Sequence, residues 1–411
     1  MAAAPLLDIA PPSKPIDLGS AAFSQNKSAY FKWLREEAPV YQGKLSILKG
    51  YFLSRYSDCV DFVQDPRFVR NRSTARGGGS RFPIPLPKSM AALGTSMITE
   101  DDPEHRRLRN LVQKVFTARS LSRLETKIEE MTHDLLDQVE KENEFDLKKV
   151  YATPIPETVI SEIMGVAEDE APFFQDLMRV LSTGLTSLNL VRTLWELRKG
   201  RRFTSDLVAR KRREPGEDIL TGLIHAEEDG RRLSDDELMA MTFLLMIAGF
   251  ETTQNLITNG VLTLIQHPEA KDRLLAEPSL WETAVEELVR FSGPIITSKP
   301  QYAMEDVEWH GVTIPKGSGV FPLYGAANRD PDVFENPEHF DITRTPNKHL
   351  GFGWGPHFCL GASLARMETR ITLQALFERN PNVRLAVPEE ELRLVAVPGW
   401  HRYENLPVVL K

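Results

Sequence analysis

One of the two cysteines in this 411-residue chain lies in a glycine-rich segment. Cys359 belongs to GFGWGPHFCLG, residues 351–361, which contains four glycines. Glycine costs backbone entropy and is used where a chain turns tightly or approaches another group closely, which a cysteine that only fills a core does not require. A zinc site needs about four Cys or His ligands and an iron–sulfur cluster needs several thiolates, and this segment offers neither set. A nucleophilic cysteine needs a base, which His357 could provide, but it does not need a glycine-rich loop.

A single thiolate is enough to serve as the axial ligand of heme iron. Apolar residues recur at helical spacing from Leu360 to Ala375, which predicts a helix directly after Cys359. The N–H groups and dipole at the start of that helix would stabilise a thiolate. The glycines would let the backbone lie against a flat macrocycle. Cys359 is therefore the candidate ligand of a heme iron.

A second polar group of residues interrupts the apolar segment TFLLMIAGFETTQNLI, residues 242–257. Glycine inside a helix costs roughly 1 kcal/mol relative to alanine, and burying an unpaired carboxylate or hydroxyl costs more. The helix could come to the surface here, but apolar residues resume at Leu256. One face is small and carries a hydroxyl, with room for a diatomic molecule and with Glu251 beside it. The residues of that face are Leu245, Ala248, Gly249 and Thr252.

These two segments resemble the cytochrome P-450 family. FGWGPHFCLG is similar to its heme-binding signature Phe-x-x-Gly-x-x-x-Cys-x-Gly, and AGFETT is similar to its oxygen-activation motif. The resemblance extends from about residue 95 to the end of the chain. It implies a mainly α fold with a small β portion, one domain over residues 1–411 with an irregular segment over about 1–20, and heme b between the distal helix and the cysteine loop.

The resemblance also implies roles for individual residues. Thr252 would hydrogen-bond to the oxygen under activation, and Glu251 would relay protons from solvent. In DDPEHRRLRNLV, His105 and Arg109 would bind heme propionates; the alternative is a solvated basic helix, our interpretation for Arg106 and Arg107. The heme-binding set is Cys359, His105, Arg109, His357, Gln301, Phe352, Gly353, Gly361, Ala248 and Gly249.

Two further family features concern structure. Glu287 and Arg290 in EELVR would alone be a weak surface pair, but the resemblance implies a buried structural triad completed by Arg344. The family often has an arginine where QYAMEDVE begins with Gln301, so one charged propionate partner is missing. Lys299, two residues earlier on the same side of a strand, is one possible replacement, and the sequence leaves this open.

The segments that form pocket walls in the family are apolar here, which favours a hydrophobic substrate of moderate size. One residue of the loop 70–90 could instead anchor a substrate carboxylate, although charged loop residues are usually only solvated. The pocket residues are Phe82, Leu190, Leu245, Ile295, Ile296 and Trp400, with Ile84, Leu86 and Leu194 beside them; the possible anchors are Arg72, Arg76, Arg81 and Lys88.

Composition excludes several classes of protein. A formal net charge of −8 argues against general nucleic-acid binding. Two cysteines suit a reducing compartment, and the N-terminus is neither a signal peptide nor a membrane anchor. The strongest apolar run, Met239 to Gly249, is too short to span a bilayer. We therefore expect a soluble cytoplasmic monomer without nucleic-acid or membrane partners.

The expected function is a monooxygenase that inserts one atom of O2 into an organic substrate. No flavin, nicotinamide or iron–sulfur motif occurs, so electrons would come from a separate ferredoxin or flavodoxin with an NAD(P)H-dependent reductase. It would dock on the cysteine side of the heme by opposite charge. A peroxide-driven or non-oxidative heme-thiolate enzyme, and a heme-binding sensor or carrier, remain alternatives that leave the pair Glu251 and Thr252 unexplained. The candidate docking residues are Arg106, Arg107, Lys114 and Arg366.

The elements that must position these residues follow from the same patterns. Helices are expected from about Pro103 to Gly293, with breaks at 117–120, 216–219 and 267–270 and a capping box at Ser234. Residues 1–50 are expected to be irregular apart from a helix near Tyr30–Glu37, and 70–100 to be a long loop. SILKGYFLSRY predicts a strand pair, and residues 306–321 a hairpin that turns at IPKGS.

Overall fold

A computed structural model describes residues 16–45, 48–79, 96–116, 118–182 and 190–410, without the side chains of 118–121, 179–182 and 190–194. Helices dominate the described residues, as predicted. They are α1 (Ala21–Gln25), α2 (Lys27–Glu37), α3 (Tyr56–Phe62), α4 (Arg72–Arg76), α5 (Glu104–Gln113), α6 (Ala118–Val139), α7 (Pro154–Met164), α8 (Ala171–Ser182), α9 (Leu190–Arg213), α10 (Ile219–His225), α11 (Asp235–Gln266), α12 (Pro268–Ala276), α13 (Trp281–Ser292), α14 (Tyr324–Ala327) and α15 (Ala362–Arg379), with a π-helical turn at Lys148–Ala152.

Helix α11 is the central element of the fold. It begins at the predicted capping box, in which Ser234 and Glu237 exchange hydrogen bonds between side chain and backbone. Over 32 residues it packs against α7, α13 and α15. Because it is buried along most of its length, it can place a few side chains deep inside the molecule.

Helix α15 begins three residues after Cys359, as predicted. Its apolar residues join the largest hydrophobic cluster, where it contacts α6, α11 and α13. The cysteine loop is therefore attached to a helix that is fixed by the core.

The small β portion is mainly one five-stranded sheet of order β1-β2-β10-β7-β3. Strands β7 and β3 are antiparallel, with Phe68 opposite Ala303 and Val69 opposite Tyr302. A three-stranded sheet joins β11, β12 and β4. The strands are β1 (Val40–Leu45), β2 (Leu48–Leu53), β3 (Phe68–Val69), β4 (Glu144–Asp146), β5 (Glu227–Glu228), β6 (Arg231–Arg232), β7 (Gln301–Ala303), β8 (Val307–Trp309), β9 (Val312–Ile314), β10 (Gly319–Pro322), β11 (Arg384–Leu385) and β12 (Pro407–Val409).

Three local predictions were wrong. The hairpin β8–β9 turns at His310 and Gly311, both with positive φ, because two such residues match the twist of a two-residue turn; the turn at IPKGS instead leads into β10 of the main sheet. Residues 16–45 are not irregular, since they form α1, α2 and β1, and β2 pairs with β1 rather than with a strand of its own segment. Within 70–100, Arg72–Arg76 is helical.

Among the described residues, no helix is long and apolar enough to cross a membrane.

Candidate active site

The loop before α15 presents the thiol of Cys359 to open space. The Cys359 amide donates to the carbonyl oxygen of Phe352 over 2.8 Å. Gly353 and Gly355 have φ of +76° and +70°, which other residues rarely adopt. Beside Gly361 an added Cβ would meet no atom within 4 Å. The thiol is exposed, so the loop leaves both a sulfur ligand and free space next to it, which fits a flat heme.

Protein groups act on the Cys359 thiol in opposite directions. Burial raises the pKa of the Cys359 thiol. Protein atoms crowd around the residue, although the side of the sulfur that faces the open space remains exposed. The Gly361 N–H and the charges of Arg109 and Arg366 lower the pKa without reversing the shift. The start of the helix therefore favours a thiolate, as predicted, but not enough to bring the pKa of the free thiol below its usual value. A bound metal ion would supply the further charge that deprotonates the sulfur.

The middle of α11 is more open than the turns on either side of it. Ile247 is 40% exposed and Ala248 is exposed, whereas both flanking turns are largely buried. Thr252 is half-buried, and its hydroxyl donates to the carbonyl oxygen of Ala248 over 2.6 Å, which leaves the Thr252 oxygen able to accept. Ile247, Ala248 and Thr252 are therefore accessible on a helix that is largely buried on both sides of them.

Two residues assigned to this open face have other contacts. A Cβ on Gly249 would lie 2.4 Å from Cδ1 of Ile160, so the glycine lets α7 pack closely against α11. Leu245 is buried in the main hydrophobic cluster. The open face consists of Ile247, Ala248 and Thr252. Helix α7 packs against the side of α11 that carries Gly249, and helical spacing alone could not predict which side that helix would cover.

Glu251 is buried in an ion pair that the sequence did not predict. Its Oε1 contacts Nη1 of Arg402, in the C-terminal segment 151 residues away. Burial lowers the pKa of Arg402, and its Nε has no hydrogen-bond partner. No local pattern identifies Arg402, because the pair forms only when the C-terminal segment folds against α11.

His105 and His357 form one cluster beneath the cysteine loop. Their ring centroids are 4.1 Å apart. Nδ1 of His105 is 3.2 Å from Oδ1 of Asp102, while its Nε2 is buried without a partner. Burial, together with the charges of Arg70, His105 and Arg109, lowers the pKa of His357 to about 2. In the described part of the chain, the cluster combines the two rings and the cations Arg70 and Arg109 with a single carboxylate, Asp102, so the carboxylates of heme propionates fit it.

Arg70 belongs to this cluster but was missed by the sequence analysis. It is only 9% exposed, and its charge also lowers the pKa of His105. The sequence analysis missed Arg70 because it belongs to the segment 70–100, which was predicted to be a loop, and because it matches no family motif. Gln301 is buried on the adjacent strand β7.

The predicted structural triad is assembled. Glu287 Oε1 and Oε2 each lie 2.7 Å from Arg290 nitrogens, and Nε of Arg344 is 3.2 Å from Oε2. Both members of the central pair have fully buried side chains. The arrangement fastens α13 to the segment before the cysteine loop.

The predicted pocket residues divide into three groups. Ile295 and Trp400 are half-buried and adjacent, joined by a backbone bridge. Ile296 packs in the cluster that contains Phe31 and Phe321, and together with Ile295 it lines a small cavity beside Arg329 and His401. Phe82, Ile84 and Leu86 lie outside the described residues, as do the side chains of Leu190 and Leu194.

The charged residues proposed for docking and anchoring have defined surroundings. Arg107 is only 10% exposed and pairs with Glu104 and Glu237, so it connects α5 to α11 and is not a docking residue. Arg106, Lys114 and Arg366 are more accessible but pair with Asp102, Glu228 and Glu286. Arg72 and Arg76 line a cavity of about 440 Å³ with Lys49 and Lys316; Arg81 and Lys88 lie outside the described residues.

Comparison with known proteins assigns the family. The family model described as Cytochrome P450 matches residues 60–381. The polyketide biosynthesis cytochrome P450 PksS of Bacillus subtilis is 37% identical over 395 residues, 94% of this chain and 96% of that protein. Its solved structure has a TM-score of 0.90 at 36% identity and covers 96% of this chain and 100% of that chain.

Two other relatives show the breadth of the family. The vitamin D(3) 25-hydroxylase of Pseudonocardia autotrophica is 40% identical over 380 residues, 92% of each chain. P450BioI, solved with an acyl carrier protein carrying hexadec-9Z-enoic acid, has a TM-score of 0.85 at 33% identity and covers 95% of this chain and 99% of that chain. These matches include the cysteine loop, α5 and α11. The chain belongs to the cytochrome P450 family of heme-thiolate monooxygenases.

Proposed function

We propose that the protein inserts one oxygen atom of O2 into a hydrophobic small organic substrate, with electrons from a separate ferredoxin or flavodoxin and its NAD(P)H-dependent reductase. The observation that carries the proposal is the juxtaposition in α11 of a buried acid, Glu251, with the half-open hydroxyl of Thr252. A carrier or sensor of heme requires neither group.

Cys359 Sγ would bind the iron, and His105, Arg109 and His357 would hold the propionates. When bound, heme supplies the reductive activation of O2. The open space beside Gly361 would receive one face of the macrocycle, next to the loop that Gly353 shapes with its positive φ, and the exposed Ala248 would leave room along the other face. The cofactor would therefore lie between two elements, the cysteine loop and α11, that the hydrophobic core fixes in place.

Protons reach the site through the chain's own polar groups. The Thr252 oxygen would accept a hydrogen bond from a water while its own O–H continues to donate to the Ala248 carbonyl oxygen. Arg402 engages Oε1 of Glu251, which leaves Oε2 to take up and release a proton. Adjacent residues of a helix do not face each other, so the acid and the hydroxyl would be connected through water and not directly.

The substrate is bound by apolar surface. Ile247 is the exposed apolar residue of the open face, and the half-buried pair Ile295 and Trp400 supplies further apolar walls. Relatives act in polyketide biosynthesis and on vitamin D(3), which supports a substrate that is mainly hydrocarbon. The arginines at the 440 Å³ cavity raise a second possibility within this class, a carboxylate anchored by Arg72 or Arg76.

Substrate titration tests the class of ligand. A panel of steroids, terpenoids, fatty acids and their methyl esters is added while the low-to-high-spin shift of the heme is monitored. We expect shifts with apolar compounds, and binding of acids but not esters would locate a carboxylate anchor. Shifts only with small, highly polar compounds would contradict the apolar pocket.

Turnover with a surrogate ferredoxin and reductase tests the reaction. We expect NAD(P)H and O2 to be consumed and one oxygen-18 atom from labelled O2 to appear in the product. Thr252→Ala should keep substrate binding but divert electrons to hydrogen peroxide, and Thr252→Ser should remain coupled. Product formed only with added peroxide, or no consumption at all, would support the rival classes instead.

A further inference from the structure

Arg70 directly follows strand β3, and Gln301 is the first residue of its partner strand β7. In the antiparallel pair β3–β7, Phe68 is opposite Ala303 and Val69 is opposite Tyr302. Continued by one residue beyond the end of β3, this register would set Arg70 opposite Gln301. Directly opposed residues project to the same side of a sheet with Cβ atoms roughly 5 Å apart. A long side chain at position 70 can therefore reach the space that a side chain at position 301 would occupy.

The side chain of Arg70 is buried and still has a hydrogen-bond donor available for a ligand. Its backbone N–H donates to Oδ1 of Asp101 over 2.7 Å, and its Nη1 donates to the carbonyl oxygen of Lys299. Its Nε is buried without a hydrogen-bond partner. No ion pair of Arg70 occurs among the described residues, although the guanidinium is almost fully buried. A buried cation in this condition is costly unless an anion accompanies it.

The missing anion belongs at the histidine cluster. Asp101 joins Arg70 to this cluster, because its Oδ1 accepts from the Arg70 N–H and its carbonyl oxygen accepts from the His105 N–H over 2.9 Å. The guanidinium is always charged and presents a planar fork that suits a carboxylate, whereas the amide of Gln301 is neutral. Burial lowers the pKa of both Lys299 and Arg70, but a guanidinium stays charged when buried whereas an ammonium can lose its proton, so Arg70 is the better buried cation.

We propose that Arg70 binds a heme propionate in place of the arginine that Gln301 replaces. The positive charge that the family often carries on β7 would be supplied here by Arg70, at the end of the adjacent strand β3. The inference rests on the heme that the family implies, and it is independent of the substrate and of the oxygenation reaction.

Heme transfer from the holoenzyme to excess apomyoglobin tests this assignment. The Arg70→Gln protein should lose heme about tenfold faster than wild type, as expected when one charge-assisted hydrogen bond is lost. Adding Gln301→Arg in the double variant should restore a rate within about threefold of wild type, and Arg70→Lys should lie between the two. Arg67→Gln, an exposed arginine of the same segment paired with Asp65, is the matched control and should match wild type.

Three results would overturn the proposal. An unchanged rate in Arg70→Gln would show that no propionate depends on Arg70. A fast rate that Gln301→Arg fails to restore would show that Arg70 acts only by holding the Lys299 carbonyl. A fast rate in Lys299→Gln with a normal rate in Arg70→Gln would assign the propionate to the lysine instead.

Discussion

Two buried glutamate–arginine pairs differ in how completely they are bonded. Glu287 accepts from Arg290 and Arg344, and also from Nδ2 of Asn347 and the backbone N–H of Asp341. The remaining Arg290 N–H groups donate to three backbone carbonyls, those of Asn328, Pro337 and His339. Both oxygens of Glu287 and all the N–H groups of the Arg290 side chain are bonded in this closed network, in which Oδ1 of Asn347 alone has no partner among the described residues.

The pair of Glu251 and Arg402 is open by comparison. Its ion pair uses Oε1 of the carboxylate, and Nε of the arginine has no partner. It lies beside the open face of α11, where Ala248 is exposed. A buried charge pair contributes to stability only when its hydrogen bonds are satisfied. The closed pair is suited to maintaining the fold, and the open pair agrees with the role in the reaction that we propose for Glu251.

The largest expected effect is the loss of the closed network. Glu287→Gln leaves two buried arginines without a counter-charge and should destabilise the protein by about 3–5 kcal/mol, because breaking one side of a buried pair strands the other. Urea denaturation and heme content of the purified protein measure this. Glu282→Gln, an exposed residue of the same helix, is the control. A Glu287→Gln protein as stable as the control would refute the structural role.

The next effect concerns the open pair. Glu251→Gln keeps the side-chain volume but removes the protonatable group, so coupled turnover should fall about 100-fold, within the range typical of general acid–base catalysis. Unfolding free energy should fall less than in Glu287→Gln. Glu251→Asp keeps an acid and should retain more activity. If Glu251→Gln turned over at the wild-type rate but unfolded readily, the two pairs would have the same structural function.

The smallest effect comes from a buried glutamate that has no cation at all. Glu368 on α15 has an Oε2 without a partner, and burial raises its pKa from 4.5 to about 8. The folded protein therefore binds more protons than the unfolded chain between these two values, and stability falls as pH rises through that window.

Removing the Glu368 carboxyl should remove this pH dependence. Between pH 6 and 7 the wild type should lose about 1.4 kcal/mol of unfolding free energy relative to Glu368→Gln. Urea denaturation at both pH values measures the difference, and Glu378→Gln, exposed on the same helix, is the control. Parallel curves for wild type and Glu368→Gln would show that the carboxyl ionises normally in the folded protein.

The sequence predicted the features that depend on local pattern. The capping box at Ser234, the start of α15 after Cys359 and the pairing of Glu287 with Arg290 all lie within a few residues of the signals that indicate them. Arg402 and Arg70 were missed because their partners come from distant segments. The hairpin turn was misplaced because His310 and Gly311 satisfy a two-residue turn better than the proline–glycine segment that follows.

The central claim is that Cys359 is the axial ligand of the heme, and the carbon monoxide complex of the reduced protein tests it most directly. Wild type should show the red-shifted Soret band of thiolate ligation. The other cysteine, Cys59, is buried, and its thiol donates a hydrogen bond to the carbonyl oxygen of Leu53. Cys59→Ser is therefore the matched control and should keep the band. Cys359→His should abolish it. A band that survives in Cys359→His and disappears in Cys59→Ser would contradict the account.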